Sequence, residues 1–220
     1  MSNPIPKDNS DTYELFEYPI IKKEKLNRVF KPEQKDFLEV LYERRSDSNH
    51  RFTKSLDISE LLFYSSKIKF LASDQKGFII SKRTAPSAGG RHPIDILVSP
   101  PGSLNERNLF YYNPIDHSLN ELNLPAKRIE QFLSEIDKNL PIDSSFLLWF
   151  SIQTYKTSSK YFNPESLYWR DAGALLAILQ LTGTFLGYKT CPLGTLAENK
   201  FKKLFDGNEL ISGGGIIVGK

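Results

Sequence analysis

Only one cysteine, Cys191, occurs in 220 residues. This excludes an internal disulfide and any metal site built from several thiolates, and it fits a reducing compartment. Histidine is almost as scarce. His50, His92 and His117 are scattered, with no second histidine or carboxylate at metal-ligand spacing, so no metal is expected. Charge of one sign is also lacking: 29 basic against 26 acidic residues leave a formal +3, too little to argue for nucleic acid. Residues 1–25 contain no apolar stretch long enough for a secretory signal. The most apolar segment, 172–187, is broken by Gln180, Thr182, Gly183 and Thr184. It falls short of the roughly 20 apolar residues a membrane span needs and reads as a buried helix. A cytoplasmic protein without membrane or nucleic-acid partners is expected.

The residues present, 40% apolar and 25% charged, are ordinary for a globular chain with room for one domain and its core. Residues 1–33 are polar and irregular and read as a tail or arm, with residues 34–220 as the domain. From Pro32 the pattern turns helical through Leu38, Leu41 and Tyr42, ending at Arg44-Arg45-Ser46. Asp57, followed by Glu60, marks a second helix start. Strands are expected at 77–81, 94–99, 109–113, 146–155 and 216–218, with a turn at 114–118. Helices are expected around 129–136, 167–186 and 196–205. The helix at 167–186 is apolar almost all round, so other helices or a second subunit should cover it. Without regular βαβ alternation, the fold class predicted is α+β.

Two apparent motifs carry nothing. GTFLGYKT (183–190) has three residues between its glycines and a tyrosine before Lys189, so it cannot form a phosphate-binding P-loop. Ser87 lacks the Gly-x-Ser-x-Gly context of a hydrolase nucleophile.

Three features in order carry a resemblance. They are Arg44-Arg45-Ser46 at a helix end; Arg83-Thr84-Ala85-Pro86-Ser87-Ala88-Gly89 followed by Pro93 and a strand; and Lys160-Tyr161 before the Ala172-Gly173 of a long apolar helix, with Val218-Gly219 near the end. Over residues 40–219 this order resembles the SagB-type or McbC-like FMN-dependent dehydrogenases of the nitroreductase superfamily. The resemblance implies a central, mostly antiparallel sheet flanked by helices, a homodimer, and FMN as cofactor. It also implies oxidation of thiazoline or oxazoline rings in a ribosomal or carrier-bound peptide, with a cyclodehydratase as a possible partner.

By that resemblance Arg44, Arg45 and Ser46 serve FMN phosphate and ribityl oxygens, a task suited to charge-assisted hydrogen bonds. A cationic helix end complementing the helix dipole explains them too. Arg83, Pro86, Ser87, Ala88 and Gly89 suit a small-residue loop whose backbone approaches the flavin ring, or an ordinary connection between strands. Gly214, within Gly213–Gly215, and Lys220 would complete the phosphate end, or form a glycine-rich turn before a last strand. Lys160 and Tyr161 are the candidate catalytic pair. Ring dehydrogenation removes a carbon-bound proton while hydride passes to flavin, which requires a base. Departures from the relatives are Ala174 in place of a histidine, Ala177-Ile178 in place of Gln-Asn, and Arg51-Phe52 as a loose match to an Arg-x-Phe element. Two other readings stay open: an NAD(P)H-dependent nitro or quinone reductase, and a degenerate scaffold in a biosynthetic complex.

Overall fold

The computed structural model describes residues 2–220 apart from 10, 29, 32, 33, 51–56, 76 and 207–209. Its centre is a seven-stranded sheet in which every neighbouring pair is antiparallel. In chain order its strands are β2 (Ile20–Lys25), β5 (Ile94–Ser99), β6 (Phe110–Asn113), β7 (Ser118–Leu122), β8 (Phe146–Gln153), β10 (Lys189–Leu193) and β11 (Leu210–Gly219). Across the sheet the order is β10-β11-β8-β5-β6-β7-β2. Two small pairs lie outside it: β1 (Ile5–Pro6) with β9 (Tyr161–Phe162), and β3 (Phe70–Ser73) with β4 (Ile79–Lys82). The helices are α1 (Phe37–Glu43), α2 (Ser59–Ser66), α3 (Ala126–Asp137), α4 (Thr154–Ser158), α5 (Glu165–Phe185) and α6 (Glu198–Leu204).

Strand alternation explains why the sheet is covered on both sides. All eight residues of β8, FLLWFSIQ, are buried. Leu148, Phe150 and Ile152 join Ile94, Ile96 and Ile216 in a core with Leu61 and Leu62 of α2 and Tyr168, Leu175 and Leu179 of α5. Leu147 and Trp149 face the opposite way, into Ile129, Phe132 and Leu133 of α3 and Phe201 and Leu204 of α6. Burying each such side chain is worth about 1.5–3 kcal/mol, so strand and helix faces stabilise one another rather than standing alone.

Part of the chain expected to be irregular is ordered. Ile20–Lys25 is the edge strand β2 on β7, and Ile5–Pro6 pairs with β9. All six residues of β2 are exposed, so no apolar alternation marked it. The last strand is ten residues long, where three were expected, because Gly213–Gly215 lie within it at a bulge. The expected turn at 114–118 leads into β7, and β10 was not anticipated. Helix α1 begins at Phe37; Pro32 lies outside the described residues, as does Arg51-Phe52. Asp57 precedes the cap position, held by Ile58, but its Oδ1 accepts the Ser59 N–H at 2.8 Å.

Candidate active site

The loop from Arg83 to His92 connects β4 to β5 and is bent by positive φ at Gly89 (59°), Gly90 (68°) and His92 (45°). Its shape is held by Asp171 of α5. The Asp171 carboxylate accepts the Ser87 hydroxyl at 2.5 Å and the Ala88 N–H at 3.1 Å. Ser87 Oγ in turn accepts the His92 N–H at 2.8 Å. Burial pushes the Asp171 carboxyl above its usual range, against the pull of the two hydrogen bonds. Asp171 was not among the residues singled out in the sequence; an aspartate in the buried stripe of an apolar helix was the available signal.

Lys160 and Tyr161 meet this loop at Gly89. A Cβ on Gly89 would lie 2.7 Å from the Tyr161 hydroxyl and 3.0 Å from Lys160 Cδ, so any larger residue collides there. The Lys160 ammonium donates to Asp74 Oδ2 at 3.0 Å and sits 4.9 Å from the Phe78 ring centroid. Asp74 stands in the β3–β4 turn, where it also accepts the Phe78 N–H. The ion pair holds the Lys160 ammonium on the β3–β4 turn. The loop and the candidate catalytic pair, remote in sequence, therefore form one cluster.

Beneath the loop is a recess lined by Arg83, Pro86, Ser87, His92, Tyr112 and Asp171, among others. Arg83 Nε is buried there without a hydrogen-bond partner among the described residues. An unpaired buried guanidinium donor is costly, so the recess suits an electron-rich or anionic group. Below it Asp95, 3% exposed, is already satisfied by Lys156 (2.7 Å), Gln153 (2.5 Å) and Tyr18 (3.2 Å). Desolvation, with Arg83 nearby, lowers His92 to about 4. Its Nε2 lies 3.0 Å from the Ser81 carbonyl, which makes Nε2 the protonated nitrogen of a neutral ring.

The basic corner lies at the end of α1, against the C-terminal half of α5. Ser46 forms an isolated bridge to Thr190 of β10, and its Oγ accepts from Gln180 at 3.5 Å. Arg45, 79% exposed at its side chain, lies 3.7 Å from Asp47 and lines a recess with Lys35, Tyr42, Thr184, Tyr188 and Lys189. Arg44 is half-buried and caps α1 through its backbone N–H. Lys220 Nζ lies 5.5 Å from the Tyr188 ring centroid, which adds a further cation at this end. Gly214 (φ 77°) sits at the β11 bulge facing the Leu193–Leu196 segment. It is therefore part of a strand irregularity and not adjacent to Lys220. From Asp171 to Thr184 the helix rise separates the loop cluster from the basic corner by about 20 Å. Among the described residues no group of three or more His, Cys, Asp or Glu could hold a metal. No described helix is long and apolar enough to cross a membrane.

No family model and no curated protein matches the chain. Solved structures do. A nitroreductase from Ralstonia eutropha aligns over 100% of this chain and 98% of its own, at 18% identity and a TM-score of 0.63. The E. coli microcin synthetase McbBCD complex with truncated pro-MccB17 bound aligns over 88% of this chain and 77% of that one, at 14% identity and a TM-score of 0.62. A nitroreductase from Desulfovibrio desulfuricans, in complex with FMN, aligns over 85% and 87%, at 15% identity and a TM-score of 0.52. The chain has a nitroreductase-like fold.

Proposed function

We propose that this protein is an FMN-dependent oxidoreductase that dehydrogenates thiazoline or oxazoline rings of a peptide to the corresponding azoles. The observation that carries the reading is the seating of Lys160 and Tyr161 against Gly89, within a loop clamped by Asp171. The fold shared with an FMN-bound nitroreductase and with a microcin synthetase complex supports it.

The residues fit a flavin in two respects. The orphaned Arg83 Nε donor offers a hydrogen bond to an electron-rich ring edge. Arg45 and Lys189 offer cations to a phosphate, in a recess that Lys35, paired with Glu43, and Asp47 also line. Bound flavin would accept the hydride. This chain's task is then to hold the substrate ring and remove the carbon-bound proton. Tyr161, acting as its phenolate, is the group placed to take it and becomes the neutral phenol, and the Lys160 ammonium, held by Asp74, supplies the positive charge that favours the phenolate before transfer.

The separation between the loop cluster and the basic corner favours a homodimer in which one protomer's corner completes the other's loop. Phe37, Leu38, Leu41 and Tyr42 of α1, all exposed beside the corner, supply an apolar surface for that contact. A cyclodehydratase that forms the azoline is the expected functional partner.

Turnover of an azoline peptide by the flavin-loaded protein, compared with Tyr161→Phe and Lys160→Ala, tests the reading. Loss of a positioned proton acceptor should cost about 100-fold or more in kcat, with flavin still bound. If NAD(P)H reduces the flavin and both variants pass electrons to a nitro or quinone acceptor as the parent does, the site is that of a reductase. A colourless protein that fails to take up FMN would leave a scaffold.

A further inference from the structure

The backbone that carries the candidate catalytic pair is covered by the chain's own N-terminal segment. Ile5 pairs with Phe162 and Pro6 with Tyr161 in antiparallel register, and among the described strands β9 pairs with β1 alone. The Lys7 N–H donates to the Lys160 carbonyl at 2.8 Å, and the Asp11 N–H to the Ser159 carbonyl at 3.2 Å. The Asn163 side-chain amide reaches the Asn3 carbonyl at 3.4 Å, and the Lys7 ammonium lies 4.8 Å from the Phe162 ring centroid.

Buried side-chain anchors gather at the C-terminal end of this segment. Tyr13 accepts from Arg91 at 2.9 Å, the Phe16 N–H donates to Gln153 at 3.0 Å, and Tyr18 is 8% exposed with its hydroxyl 3.0 Å from Ser151. Upstream of Tyr13 the segment lies on β9 through backbone hydrogen bonds, with Lys7 paired to Asp11 and set over Phe162, and Ile5 is 55% exposed. Little apolar area holds the outer stretch down, so it can lift without disturbing the anchors.

Its prolines also have a sense. Because the Lys7 N–H points at β9, strand alternation turns the Ile5 N–H the same way and sets Pro4 and Pro6 outward. Residues without an N–H thus occupy the free edge, where they prevent a further strand from adding. The segment satisfies the inner edge and ends the sheet.

We propose that the Ser159–Phe162 edge is the docking strand for an extended peptide substrate, and that residues 2–9, with Asp11, are its built-in occupant, displaced when the substrate binds. This rests on the peptide-oxidising reading above. Main-chain pairing is indifferent to most side chains, which suits a peptide recognised along its backbone. It would deliver a ring-bearing residue beside Tyr161, whose hydroxyl already touches the loop at Gly89. While the tethered segment occupies the edge, the apparent affinity of any peptide is reduced by the fraction of molecules with the edge free.

Fluorescence anisotropy with a labelled synthetic peptide of residues 2–9 tests the proposal on the full chain and on its Lys7→Pro variant, which removes the donor to Lys160. Ile5→Pro, lacking the other inward N–H, serves as a second variant, since both positions precede the anchors at Tyr13, Phe16 and Tyr18. Release of the segment should tighten peptide binding by about tenfold. Methylating the probe's nitrogen at the Lys7 position should abolish the gain. Equal binding by parent and variants, no binding by any of them, or binding indifferent to that methylation would overturn the proposal. The readout does not require turnover. An azoline peptide oxidised with the same KM by parent and variants would sink the docking strand and leave the reaction standing, whereas edge binding without oxidation would do the reverse.

Discussion

His92 is held in a left-handed conformation at the end of the loop, 8% exposed, with its ring N–H on Ser81 and Arg83 close by. Its folded-state value, about 4, lies below the value near 6.5 expected of an unfolded chain. Protonation therefore favours unfolding. The stability contributed by the neutral ring is complete above about pH 6.5 and is lost as pH falls toward 4, by up to about 3 kcal/mol. Urea denaturation between pH 7 and 4 should show that slope, and His92→Gln should flatten it; an unchanged slope would place the acid sensitivity at other groups. The resemblance singled out Ser87, Ala88 and Gly89, whose small size suits close approach. It did not single out Asp171 or Asp74, because a carboxylate remote in sequence shows its partner only after folding.

Among the elements, β11 shows how a local sign can mislead. Gly213-Gly214-Gly215 looks like a turn before a short strand, yet the strand runs through it from Leu210 to Gly219. The glycines are required by neighbours: a Cβ on Gly215 would stand 2.6 Å from the Leu148 carbonyl and 2.7 Å from the Trp149 ring. Gly215→Ala should therefore push on β8 backbone and cost about 2 kcal/mol, lowering Tm by about 4–8 °C. Gly173 is the contrasting case on α5, where an added Cβ meets nothing within 4 Å. Gly173→Ala should stabilise by about 0.5–1 kcal/mol through helix propensity. Calorimetry of the two variants checks both; a neutral Gly215→Ala would mean that β8 yields at this point. Helix α5 was legible from its run of apolar residues, and it extends from Glu165 to Phe185. The edge strand β2 was not legible, because all six of its residues face solvent and only pairing with β7 makes them a strand.

For the whole molecule, the two candidate clusters lie toward opposite ends of α5, and α1 leaves four large apolar side chains exposed while burying only Val40. If two protomers complete each other's sites, Leu38→Asp with Leu41→Asp should convert the protein to a monomer. Flavin should be lost with the partner, because neither cluster alone holds both ends of it. Light scattering after size exclusion, with the visible spectrum of the eluted protein, reads both. A monomer that keeps full flavin occupancy would refute the shared site.

Composition and spacing alone led to the expectation of no internal disulfide, no thiolate metal cluster and no apolar span, and of helices and strands mixed without βαβ alternation. The small-residue loop and the Lys160-Tyr161 pair were marked by the resemblance of three ordered motifs to a known family, whose side-chain sizes and charges are written residue by residue. Tertiary structure alone decided that Tyr161 touches Gly89, that Asp171 clamps Ser87 and Ala88, that Asp74 holds Lys160, and that the N-terminal segment pairs along the same backbone. Each of these joins residues far apart in the chain. Such contacts form only when the sheet and α5 bring them together, and a backbone hydrogen bond between strands leaves no mark on the identity of the residues that make it.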